Sequence, residues 1–158
     1  MLGIGVLLTS CYTGLDEQKT TNSEIVTIQD AIAKLKSSLS ASPESIEIKM
    51  GLAKAYFRLD TAISKARGVS EGNFPFFFAE EKSSVCTLLI HGFGASPYEV
   101  LPLGEFLFKK GISVYGVRLA GHGISFQELK DSTKEDWYNS LENGKNALKS
   151  FCKSIILG

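Results

Sequence analysis

Apolar positions along the chain follow two different rhythms. In the first, Ile25, Ile28, Ile32, Leu35 and Leu39 recur at alternating spacings of three and four, the single stripe of an amphipathic helix. Thr27 and Asp30 could form a capping pair if that helix starts late. Ser42-Pro43-Glu44 restarts the chain, with Ser42 as N-cap and Pro43 at the first helical position. The second helix is expected to run to about Ala66 and stop at Gly68. It carries two stripes, one of Ile46, Met50, Ala53 and Phe57, the other of Leu52, Tyr56, Leu59 and Ile63. A face that broad is covered on two sides, so residues 25–68 read as an αα-hairpin packed onto the rest of the chain. Such a hairpin can serve as a lid or docking element, or as a structural cap. Stripes at helical spacing favour the cap.

The second rhythm begins at Phe74–Phe78, where Pro75 points to an edge strand or a strand start. Consecutive phenylalanines leave no polar alternation, so both faces need cover. Val85–Ile90 is a short continuous apolar run, suited to a strand buried on both faces, and it ends in His91-Gly92-Phe93-Gly94. Ligands of open α/β sheets sit at strand carboxyl ends. Gly92 and Gly94 allow a sharp turn and a close approach of backbone to a substrate oxygen. The Phe93 N–H between them is the candidate oxyanion donor. Ser96-Pro97-Tyr98-Glu99 has the form of a capping box, but Pro102 follows within two turns. Either the helix is kinked or, the favoured reading, a separate turn precedes a helix starting near Leu101; it ends at Lys109-Lys110-Gly111. Ile112–Val117 is the next strand, followed by the loop Arg118–Gly123, RLAGHG. Ser132–Glu135 gives another capping box and opens a helix that turns Trp137, Leu141, Leu148 and Phe151 inward. Ser154–Leu157 is the last strand. Alternating strands and helices of this kind make an α/β architecture with a parallel sheet.

HGFGASP, then a helix, then GISVYGVRLAGHG, then EDWYNSLENGKNALK and SIILG follow one another in order. Residues 73–158 thereby resemble the N-terminal part of an α/β-hydrolase, of the bacterial carboxylesterase and monoacylglycerol-lipase-like group. The resemblance implies a carboxylic-ester hydrolase, with Phe93 as backbone oxyanion donor and Gly92 and Gly94 against the substrate. It implies structural roles for His91 and His122, because the family's catalytic histidine comes after the nucleophile. Trp137 would pack beneath the sheet. Gly158 matches the first glycine of the nucleophile elbow, so the serine would lie two positions further on, with acid and histidine later still. On that reading the chain is truncated before the elbow, carries none of the triad and is inactive alone. The alternative is a non-catalytic remnant or interaction module, associating through an apolar sheet edge at Ser154–Leu157.

Charge changes little in this picture. Lys plus Arg and Asp plus Glu are 17 each, and no basic stripe with interleaved aromatics occurs, so no nucleic-acid partner is expected. His91 and His122 could be imagined as a metal pair, but no further ligands cluster near them in sequence, and neither a metal nor another cofactor is expected. Cys11, Cys86 and Cys152 are odd in number and far apart, which argues against a disulfide framework; Cys86 and Cys152 read as small core residues.

The N-terminus stands apart. MLGIGVLLTSC resembles a bacterial lipoprotein signal over residues 1–10 with its lipobox, implying cleavage before Cys11 and lipidation there. Residues 11–24 would then be a polar tether. Tyr12 in the next position favours the outer membrane of a Gram-negative envelope. No Lys or Arg precedes the run, and the competing reading is a buried N-terminal strand in a cytoplasmic protein.

Overall fold

The computed structural model describes residues 14–81 and 83–158, with side chains from residue 22 onward. The signal segment, Cys11 and the first part of the expected tether lie outside the described residues.

Helix α1 spans Gly14–Ala41 and α2 spans Ile46–Ala66. The expected stripe of α1 faces inward: Ile32 is buried and Ile25, Ile28, Leu35 and Leu39 pack against the core. The helix does not start near residue 25, however. It begins at Gly14, so residues 14–24 are helical rather than a tether. Leu15–Glu24 contains neither proline nor glycine, and nothing in it stops a helix once the next turns are held by packing. Thr27 accordingly sits inside the helix, its hydroxyl donating to the Ser23 carbonyl at 2.9 Å instead of capping. The second N-cap is Ser45 rather than Ser42, with its hydroxyl accepting from the Ile48 N–H at 3.3 Å. Pro43 falls in the turn.

The sheet comprises β1 (Phe76–Phe78), β2 (Val85–Ile90), β3 (Ser113–Val117) and β4 (Ser154–Leu157), in the order β1-β3-β2-β4. Strands β2, β3 and β4 run parallel and β1 pairs antiparallel with β3 at the edge. A proline just before β1 is harmless there, since an edge strand needs fewer donors. The three phenylalanines divide between the faces. Phe77 meets Phe57, Tyr115 and Phe151, while Phe78 meets Phe76 and Phe108. Gly104 and Gly116 make room for the Phe76 ring, which lies 2.6 and 2.1 Å from where their Cβ atoms would be.

Helix α3 (Pro97–Lys109) covers one face, α5 (Lys134–Lys149) covers the other, and α2 packs on α5 with α1 outside it. A short α4 (Phe126–Asp131) follows the loop after β3. Helix α3 differs from expectation: it starts at Pro97 and runs straight through Pro102. One proline so near the N-terminus removes a single ladder bond, and the turns on either side keep theirs. The cap of α5 is shifted by one residue, to Thr133 and Asp136.

One hydrophobic cluster runs from Ile32 through Leu52, Tyr56 and Leu59 to Leu88, Tyr115 and Leu148, so the hairpin and the sheet share a core. Cys86 and Cys152 correct the sequence reading. They form a disulfide across 66 positions, with Cα atoms 6.1 Å apart, where the chain enters β4 beside β2. Counting cysteines could not show that parallel pairing brings these two together. At the other end of β4, Ile156 and Leu157 are exposed. No described helix is long and apolar enough to cross a membrane.

Candidate functional site

Strand β2 delivers His91 to its carboxyl end, and the parallel register sets Ile90 opposite Val117, so the loops after β2 and β3 emerge side by side. His91 is buried and bridges them. Its Nδ1 lies 3.0 Å from the Gly92 carbonyl and its Nε2 accepts the Leu119 N–H at 3.2 Å. That pattern fixes the tautomer, with the proton on Nδ1. Burial lowers the pKa of His91 from 6.5, so the ring is neutral at physiological pH.

Beyond His91 the chain turns. Gly94 has φ +76°, a conformation a side chain would resist, and Ala95 N–H closes the turn onto the Gly92 carbonyl at 3.1 Å. Gly92 N–H donates to the Glu99 carboxylate at 2.7 Å, and a Cβ on Gly92 would stand 3.3 Å from the same oxygen. Glu99 was legible only as half of a capping box. Ser96 makes no side-chain cap, and the Glu99 carboxylate reaches back to the loop instead. The Phe93 N–H takes no part in the hydrogen bonds among the described residues, and the Phe93 ring is 78% exposed.

The second loop carries Gly121, His122 and Gly123, both glycines at φ +76°. A Cβ on Gly121 would lie 2.6 Å from the Glu128 carbonyl, so only glycine lets α4 close on this loop. His122 is buried, its Nδ1 2.9 Å from the Ala120 carbonyl. Its ring packs among His91 (4.9 Å between centroids), Trp137 (5.7 Å) and Phe93 (6.1 Å). Its Nε2 is buried without a hydrogen-bond partner. Trp137 packs against the core cluster of the sheet and also reaches the two loops, with Nε1 donating to Ser132 Oγ at 3.0 Å.

A cavity of about 510 Å³ opens between these loops, lined by Phe93, Gly94, His122, Phe126 and Leu129, with Asn73 on its far wall. Its lining is mostly apolar with few polar groups, the character of a site for an acyl or alkyl chain. The structure brings His91, Gly92, Phe93, Gly94 and His122 together. No serine hydroxyl among the described residues bonds either histidine, and no group of three or more His, Cys, Asp or Glu could hold a metal there.

A second cavity, of about 260 Å³, carries several charged and polar side chains and lies between α2, α5 and the start of the loop after β3. Its central residue, Asp60, had no signal beyond a carboxylate set among the apolar positions of α2. It accepts from Tyr115 Oη at 2.5 Å and from Asn143 Nδ2 at 2.6 Å, and burial pushes its pKa up to about 6 despite both bonds.

Known proteins match this arrangement. A thermostable monoacylglycerol lipase of Bacillus sp. (strain H-257) is 36% identical over 95 residues, 60% of this chain and 37% of the relative. A carboxylesterase of Bacillus subtilis (strain 168) is 34% identical over 76 residues, 48% of this chain and 30% of the relative. A solved structure described with the metagenome-derived lipolytic enzymes LipS and LipT superposes with a TM-score of 0.52 at 29% identity, covering 56% of this chain and 36% of its own. Over the matched part the chain has a partial α/β-hydrolase fold and is similar in sequence to these lipolytic enzymes. No family model matches the sequence. The chain spans about a third of the length of these curated α/β-hydrolase relatives.

Proposed function

We propose that residues 91–94 and 121–123 form the oxyanion loop and pocket wall of a carboxylic-ester hydrolase. The observation that carries this reading is the Phe93 N–H, unpaired on a loop whose flanking Gly92 N–H is held by Glu99. A donor fixed in advance can stabilise the negative charge that develops on an ester oxygen at the tetrahedral stage, with no reorganisation as the charge forms. Gly92 and Gly94 let the carbonyl approach that backbone, and His91 holds the two loops in register. Phe93, Phe126 and Leu129 offer apolar contact to the acyl side. Ester hydrolysis also needs an activated serine, a general base and a second oxyanion donor. With both histidines engaged by backbone groups or rings, none of the described serines is set up as that nucleophile, and on this reading the described residues do not hydrolyse an ester by themselves. A non-catalytic remnant is the competing class.

For location, the reading that fits is a lipid-anchored protein of the bacterial envelope, acylated at Cys11, with the cytoplasm as the alternative. The Cys86–Cys152 disulfide supports it, because such bonds persist in oxidising compartments. Mass spectrometry of the membrane fraction tests it, an acylated peptide starting at Cys11 being the expected product and an intact Met1 peptide in the soluble fraction the contrary one.

The oxyanion assignment is tested by a crystal structure, with a phosphonate ester analogue bound, of this chain joined to the segment that supplies the nucleophile and second donor. The Phe93 N–H is expected at about 2.7–3.1 Å from the phosphoryl oxygen. An oxygen held only by side chains would contradict it.

A further inference from the structure

The cavity beneath the hairpin holds a half-buried cation whose nearest counter-charge, the Asp60 carboxylate, is bonded to Tyr115 and Asn143 and forms no ion pair with it. Arg118 is half-buried, with Nε donating to Ser64 Oγ at 2.8 Å and Nη1 donating to the carbonyls of Leu119 and His122, both at 3.2 Å. None of the ion pairs among the described residues includes it. Its Nη2 is left without a protein acceptor among those residues. Across the cavity stands Arg67, near enough for the two guanidinium charges to oppose each other, and its one carboxylate partner, Glu128, lies at 3.4 Å. Two guanidiniums converging on a cavity, the inner one making no ion pair and keeping Nη2 without a protein acceptor among the described residues, form an arrangement that a bound anion would relieve.

We propose that this cavity, between α2, α5 and the loop after β3, binds a small oxyanion, a carboxylate or phosphoryl group, through Arg118 Nη2 and Arg67. Asn139 and Asn143 lie on the α5 wall to bond its remaining oxygens or attached hydroxyls. Two carboxylates face the same space and oppose an anion. Asp136 is drawn away by the Thr133 N–H and hydroxyl at 2.9 and 2.7 Å. Asp60 has both oxygens occupied by Tyr115 and Asn143, and it is uncharged for part of the time near pH 6. The site is separate from the oxyanion loop and uses α2, which the hairpin supplies. Occupied, it would tie α2 to α5 and to the loop carrying His122.

The test is a titration of the full chain with sodium sulfate, whose charge is constant between pH 5.5 and 7.5, against sodium chloride of equal ionic strength. The readout is the Arg118 Nε–H and Asn143 side-chain amide resonances in two-dimensional NMR. Saturable shifts with sulfate and none with chloride are expected, with binding several-fold tighter at pH 5.5 as Asp60 protonates. Arg67→Gln should weaken it about threefold, as expected for a partly exposed charge, and Arg118→Lys about tenfold. Asp60→Asn should tighten binding at pH 7.5 and remove the pH dependence. Parallel titrations with acetate and inorganic phosphate separate a planar carboxylate ligand from a tetrahedral phosphoryl one. Absence of saturation with all three anions, or equal affinity in a folded Arg67→Gln variant, would overturn the proposal. Because Arg67 is largely exposed, that variant decides the matter even if Arg118→Lys does not fold.

Discussion

The Glu99 carboxylate accepts the Gly92 N–H at 2.7 Å, and so the first turn of α3 holds the loop that carries Phe93. This bond joins a helix to the strand end that precedes it, where a capping box would have closed the helix upon itself. Its effect is to aim one backbone donor by fixing its neighbour. Glu99→Ala should lower the stability by about 1 kcal/mol, less than the roughly 1.5–3 kcal/mol of a bond to a charged group because the position is exposed. Glu99→Gln should recover part of it. Urea unfolding of the three proteins measures this, and equal midpoints would show that the bond contributes nothing.

Phe93 and Trp137 meet at 6.0 Å between ring centroids, and Trp137 is the one tryptophan of the chain. Phe93→Ala is expected to change Trp137 emission while shifting stability by less than about 1 kcal/mol, since the Phe93 ring is mostly exposed. An unchanged emission spectrum would separate the two rings in solution.

The α/β class, the succession of strands and helices along the chain and the helical hairpin were all legible in the sequence, because stripes at helical spacing and buried apolar runs are local signals. The turn at His91–Gly94 was legible for the same reason, as its residues are contiguous. Glu99 as a loop anchor, the Cys86–Cys152 pairing and Asp60 under Tyr115 were not. Each depends on which elements become neighbours, and residue type alone does not state that. The start of α1 at Gly14 was missed because polar composition suits a tether and an exposed helix equally.

The disulfide closes a long loop and therefore restricts the unfolded chain. For a separation of 66 residues, chain entropy places its contribution at roughly 4 kcal/mol, and measured values for such bonds are commonly about 2–4. Thermal unfolding with and without dithiothreitol should show the loss, and Cys152→Ala should abolish the difference. Reactivity of Cys86 and Cys152 toward a thiol reagent in non-reducing denaturant would contradict the bond.

Asp60 gives the fold a pH dependence of definite sign. Its folded pKa, about 6, lies above the ordinary 3.8, so the native state holds the proton more tightly than the unfolded chain does. Its favourable contribution is full below about pH 4 and is lost as pH rises through 6, a change on the order of 1–3 kcal/mol. Asp60→Asn should flatten the profile of unfolding free energy across that window. A wild-type profile that is already flat between pH 4 and 7, after the other carboxylates are accounted for, would remove Asp60 from this role.

Fluorophosphonate labelling tests the central claim most directly. Residues 91–94 and 121–123 are held to be the oxyanion loop and wall of an ester hydrolase whose nucleophile is not among the serines of residues 1–158. Purified 1–158 protein is incubated with a p-nitrophenyl ester and then with the probe, and labelled peptides are mapped by mass spectrometry. No turnover above background and no labelled serine are expected. Stoichiometric labelling of a serine in this chain, with turnover that the matching Ser→Ala change abolishes, would contradict the account.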